Sequence, residues 1–184
     1  MAEVLPSRPE EKPMAPLLAA TIALGVLLGL VVVPRLAPAG GSGHEARPAP
    51  NFTLPVVANQ AGDGPARLEL SSLKEKVVIL DFWASWCGPC RMQAPILDRI
   101  QQRHGEQVVV LGINVDDPPA VAKRYAEREG LSYPILLDTQ GEAQQLYGAT
   151  TLPTVVIIDR EGVVRQFTQG VIRESAIEKV LSRL

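Results

Sequence analysis

The chain has 184 residues, enough for one ordinary domain and an appendage. Its 18 Lys+Arg stand against 20 Asp+Glu, which leaves no basic field for nucleic acid and no acidic tail. Only two cysteines, three positions apart, and two histidines are present, which excludes a multi-bridge disulfide framework and a structural zinc site.

In chain order, residues 1–13 are polar and broken by proline. Residues 14–33 (MAPLLAATIALGVLLGLVVV) carry no charge at all. As a helix at about 1.5 Å per residue this run covers about 30 Å, the thickness of a bilayer's hydrocarbon core, so a transmembrane segment is expected over 14–36. Ala37-Pro38-Ala39 after it fits a signal-peptidase site, although the run is longer than a signal's apolar region. A retained anchor and a cleaved signal both stay open. Arg8 and Lys12 before the span balance Arg35 and Arg47 after it, so charge decides little about orientation; the short leading tail favours translocation of the C-terminal domain. Residues 37–50 (APAGGSGHEARPAP) read as a flexible linker.

From residue 51 the pattern is globular. Alternating stretches at 52–57 and 67–70 flank turn residues and suggest a hairpin. Residues 71–75 suit one helical turn. The near-continuous apolar run 77–82 (VVILDF) is what a strand covered on both faces requires. A helix is expected over 87–104, with Met92, Ile96, Leu97 and Ile100 on one face and Gly105 closing it. Residues 108–115 form the next buried strand. Pro118-Pro119 open a helix that Gly130 ends. Then come a short strand at 135–137, a short helix at 143–147, and strands at 154–158 and 163–168 around the turn Asp159-Arg160-Glu161-Gly162. An amphipathic helix over 172–184 completes the chain. Alternating strands and helices imply an α/β layer fold with a mixed central sheet.

The chemistry concentrates at Trp86-Cys87-Gly88-Pro89-Cys90. Cys87 follows a buried strand and begins a helix, where unpaired N–H groups and the helix dipole favour thiolate, the nucleophile of disulfide exchange. Gly88-Pro89 brings Cys90 one helical turn on, within bridging reach. Cys87 is then expected exposed at the tip, as attacking thiol, and Cys90 covered, as resolving thiol. Asp116-Asp117 reads as a pair of solvated loop charges, Trp83 as core or site, and Trp86 as a cover over the sulfur. His44 and His104 are not placed to join the thiols in a copper site.

The run VVILDFWASWCGPCRMQAPIL resembles the active-site strand and helix of thioredoxin, and Thr151-Leu152-Pro153-Thr154 resembles that family's cis-proline segment. With the apolar run, the linker, Pro50-Asn51-Phe52-Thr53-Leu54 and an insert over about 117–148, the layout is similar to the TlpA/ResA-like membrane-anchored thioredoxins. That resemblance implies a thioredoxin fold with an N-terminal β-hairpin extension. It also implies reduction of protein disulfides by a Cys87/Cys90 dithiol and no cofactor or metal beyond that redox-active disulfide. Trp86, Gly88, Pro89, Leu152 and Pro153 would frame the substrate groove. The expected setting is the extracytoplasmic face of a bacterial inner membrane, or the soluble periplasm if the leader is cleaved. Partners would be protein disulfides and a membrane thiol electron donor, in cytochrome c maturation or in service of copper-protein thiols.

Two departures from the anchored group bear on the proton. Asp81 stands where many members carry Asn, and Gln93 where they carry Glu. Asp81 instead matches the buried acid of thioredoxin, so the proton-acceptor role falls to it. The lysine that often accompanies that acid is replaced by Gly112. Two readings from other classes are weaker. A peroxide-reducing protein would carry threonine three residues before its cysteine, where this chain has Ala84. A metal chaperone would hold Cu(I) stoichiometrically and reduce no disulfide.

Overall fold

The computed structural model describes residues 46–59 and 66–184. The expected transmembrane segment and the linker up to residue 45 lie outside the described residues. Among the described residues no helix is long and apolar enough to cross a membrane.

Seven strands form one mixed sheet in the order β2-β1-β5-β4-β3-β6-β7. They are β1 Thr53–Ala58, β2 Arg67–Glu69, β3 Val77–Trp83, β4 Val108–Asn114, β5 Ile135–Leu137, β6 Thr154–Ile158 and β7 Val164–Gln169. Among the described residues four α-helices accompany them: α1 Gly88–His104, α2 Pro119–Glu129, α3 Glu142–Tyr147 and α4 Glu174–Leu181. The turn expected at 71–75 is a 3-10 turn, Leu70–Leu73.

β3 is buried at all seven positions because it is the inner strand, parallel to β4 and antiparallel to β6. Its side chains alternate between two cores. Val78, Leu80 and Phe82 join Phe52, Leu111, Ile113, Val156 and Tyr147 of α3 on one face. Val77, Ile79 and Trp83 join Cys87, Cys90, Leu97 and Ile100, with Tyr125 of α2 and Ile177 of α4, on the other. Asp81 shares this second face, the one beneath the cysteines. The insert expected over 117–148 supplies β5, which slots into the sheet between β1 and β4.

Three expectations need correction. Residues 46–50 are not free linker. The Ala46 N–H donates to Val164 C=O at 2.7 Å, Val164 N–H to Arg47 C=O at 2.9 Å, and Tyr147 Oη to Pro50 C=O at 2.8 Å. β7 is an edge strand with open backbone groups, and any extended segment can satisfy them regardless of composition. Met92 is 60% exposed, and the buried stripe of α1 is Cys90, Gln93, Ala94, Leu97 and Ile100. The polar Gln93 takes the buried place that apolar patterning assigns to Met92, about 100° away on the helix. The last helix spans only Glu174–Leu181; Ile172 is a buried residue ahead of it.

Candidate active site

Cys87 is the N-cap of α1, with Pro89 in the first turn. Its Sγ accepts the N–H of Cys90 at 3.2 Å, the bond a capping oxygen would ordinarily take. A sulfur held there faces the positive end of a helix, which favours negative charge on it. Cys87 and Cys90 form a disulfide, with Cα atoms 5.3 Å apart.

The expectation of an exposed Cys87 is not met in this oxidised state. Cys87 is 4% exposed and Cys90 1%, while Trp86 beside them is 64% exposed. The disulfide sits at the floor of a groove of about 430 Å³, walled by Trp86, Gly88 and Pro89 on one side and Thr150 and Leu152 on the other. Trp86 therefore forms a rim of the groove, and Trp83 is core, stacked on Tyr125 with ring centroids 4.6 Å apart. The Leu152–Pro153 peptide is cis. Pro153 is buried behind the wall, and its C=O accepts the N–H of Gly170 at 2.7 Å. Leu152 in front of it has no backbone hydrogen bond to any described residue, so its N–H and C=O are open to an extended ligand.

Asp81 is 1% exposed, and its Oδ1 has no hydrogen-bond partner among the described residues. Burial alone pushes its pKa up to about 7, since a carboxylate there would lose its hydration. The register explains why no cation offsets this. Asp81 lies opposite Gly112 on β4, at the position of the absent lysine. A Cβ at Gly112 would come within 2.8 Å of Ile135 Cδ1 and 3.0 Å of Tyr133 Cε2. The space a longer side chain would need is already filled by Tyr133, Ile135 and Trp83.

Gln93 does not stand in for a glutamate at the thiols. It is fully buried, and its Oε1 accepts the N–H of Ile172 at 2.8 Å, tying α1 to the segment before α4. Asp117 is not the solvated loop charge expected of it. It is 6% exposed and organises the approach to the cysteines: Oδ2 accepts the Ser85 N–H at 2.6 Å and Oδ1 the Ser85 hydroxyl at 2.7 Å. Asn114 Nδ2 donates to it as well, at 2.6 Å. The spacing Asn114-x-x-Asp117 just past a strand end is a recognisable side-chain-to-backbone turn, and it is the signal that marks Asp117 in the sequence. Asp116 lines the groove instead.

The AhpC/TSA family model matches residues 46–167. This chain belongs to that family. Within it, the chain is 34% identical over 116 residues to the thiol-disulfide oxidoreductase ResA of Geobacillus kaustophilus, covering 62% of this chain and 67% of the relative. To ResA of Bacillus subtilis it is 31% identical over 140 residues, 75% and 74% of the two chains. A thiol:disulfide interchange protein of the thioredoxin family from Chlorobium tepidum superposes with a TM-score of 0.65 at 27% identity, over 80% of this chain and 98% of that one. An exposed lipoprotein thioredoxin of Streptococcus pneumoniae superposes with a TM-score of 0.60 at 31% identity, over 73% and 100%. The chain is a thiol–disulfide oxidoreductase of the thioredoxin-like, ResA type, as its CxxC and cis-proline segment led us to expect.

Proposed function

We propose that the chain is a reductant of protein disulfides outside the cytoplasm, tethered by residues 14–33 and recharged by a membrane thiol donor. The observation that carries the reading is the Cys87–Cys90 pair at a helix N-terminus, on the floor of a groove whose far wall offers the unpaired backbone of Leu152. In the reduced state the Cys87 thiolate attacks one sulfur of a substrate disulfide, forming a mixed disulfide and releasing the other as thiolate. Asp81 takes the proton of Cys90, and the Cys90 thiolate attacks Cys87. The Cys87–Cys90 disulfide closes, and the substrate leaves with two electrons as a dithiol, one proton returned from Asp81 and the other taken from water in place of the one Cys87 lost on becoming a thiolate. Leu152 pairs with the substrate backbone, while Trp86, Gly88, Pro89 and Pro153 shape the groove around it.

Service in cytochrome c maturation, or of the thiols of a copper-handling protein, is the role we assign to this reductant. The relative named an exposed lipoprotein supports the extracytoplasmic setting. The test is to express Cys90→Ser, isolate the adduct that stays on Cys87, and identify it by mass spectrometry. A c-type cytochrome precursor or copper protein bearing a CxxC pair is the expected catch. A reduction potential of the Cys87/Cys90 couple near about −120 mV, that of a strong oxidant, would overturn the reducing direction.

A further inference from the structure

Next to the turn that carries the cysteines lies a second depression, of about 690 Å³, which the disulfide chemistry does not use. Ser85 and Arg91 form one wall, and Arg124, Tyr125, Glu127 and Arg128 of α2 form the other. It shares no lining residue with the substrate groove. Both nevertheless draw on the same stretch of chain: Ser85 lies two residues before Cys87, and Arg91 directly follows Cys90.

The charges in this pocket are only partly matched. Glu127 is 3.9 Å from Lys123, and Arg128 is 2.9 Å from Glu129. Among the described residues, Arg91 donates only to the neutral carbonyl of Ser85, at 3.4 Å, and Arg124 has no hydrogen bond or ion pair. Two guanidinium charges are thus uncompensated on an open surface. Tyr125 lines the same depression, 2% exposed and held between Trp83 and the guanidinium of Arg128, 5.2 Å from the ring centroid. Its Oη has no partner among the described residues. Burial, the largest influence, raises its pKa above the ordinary value, so it remains a donor at neutral pH.

We propose that this pocket docks an acidic segment of the substrate protein, a carboxylate lying near the cysteine that exchanges at Cys87. The inference rests on the reductant reading above and adds to it a criterion of substrate choice. Arg91 and Arg124 are both donors, and a carboxylate is acceptor-only and can accept from each. Because the pocket brackets the CxxC turn, a chain leaving the groove meets it. A disulfide flanked by Asp or Glu is then captured faster than the same disulfide flanked by Lys.

The test uses the full chain in nonionic detergent, reduced beforehand and freed of reductant, in single-turnover reactions with two cyclic disulfide peptides. The peptides have the same length, one with Glu and one with Lys beside the cysteines. At low salt the Glu peptide should react about tenfold faster, with the gap closing in roughly 0.5 M salt as the field is screened. Arg124→Gln should reduce the preference and Arg124→Glu reverse it. Lys179→Glu, the same charge change on an exposed residue of α4, should leave it intact. Equal rates for the two peptides, or a preference that Lys179→Glu alters as much as Arg124→Glu, would overturn this inference alone. Failure of both peptides to react overturns the reductant reading and this inference with it.

Discussion

Consider Asp81→Asn, a change of one buried carboxyl to an amide of nearly the same shape. In the folded protein the carboxyl has its pKa at about 7, against an ordinary value of 3.8. The cause is burial, so the folded state favours the protonated form. The stability that this protonation contributes is complete below the unfolded value, falls as pH rises from about 4 to about 7, and is gone above that. At about 1.4 kcal/mol for each tenfold in proton affinity, the difference between those two values makes the ionised carboxylate at pH 8 a burden of about 4 kcal/mol relative to the neutral acid. At pH 4.5 only about 1 kcal/mol of that burden has developed. Asn carries no charge at any pH, so the variant should gain on the parent by about 3 kcal/mol between pH 4.5 and pH 8. Urea unfolding of the two oxidised proteins at both pH values, taken as a difference, removes every other titrating group. With a slope of about 2 kcal/mol per M the midpoints should diverge by about 1–2 M at the higher pH. A stability difference independent of pH would refute the reasoning, and with it the assignment of Asp81 as a group poised near neutrality.

The same carboxyl predicts a kinetic signature. Closure of the mixed disulfide by Cys90 should speed up as pH rises through about 7 in the parent, and that inflection should disappear in Asp81→Asn stopped-flow traces. Gly112→Ala should cost about 1–3 kcal/mol of unfolding free energy, since its Cβ would fall 2.8 Å from Ile135 Cδ1 in a filled core; a neutral result in thermal unfolding would contradict the packing described. Asp117→Ala should cost about 2–4 kcal/mol by leaving the Ser85 N–H, the Ser85 hydroxyl and Asn114 without their acceptor. It should also slow single-turnover disulfide reduction, whereas Asp117→Asn, which keeps one acceptor, should lose less of both. Peroxide should not be consumed by Cys90→Ser in a coupled assay, and turnover there would revive the peroxidase alternative.

Most of the fold and the cysteine pair were legible from local pattern. Six of the seven buried residues of β3 appeared as the near-continuous apolar run 77–82, and Cys87 as the start of the helix appeared from the strand-to-helix change around Gly88-Pro89. The glycines and prolines at helix ends marked α1 and α2 to within a residue. Burial of polar side chains was not legible. Gln93 looks like a surface residue in one dimension, Asp117 is marked only by its spacing from Asn114, and each is buried because a backbone N–H from elsewhere in the chain comes to meet it.

The sequence by itself therefore determined the redox pair, its helix-capping position, and the alternation of strands that carries them, because these depend on residue type and spacing along a few turns of chain. Only the tertiary structure decided three things. It put Gly112 opposite Asp81 with no room for a cation. It added Thr150, Asp116 and Gln144 to the groove that the family resemblance had framed with Trp86 and Leu152. It also set Arg91 of one helix beside Arg124 of another. Each is a meeting of residues tens of positions apart, fixed by strand register and helix packing, and no local pattern in the chain encodes which such residues will meet.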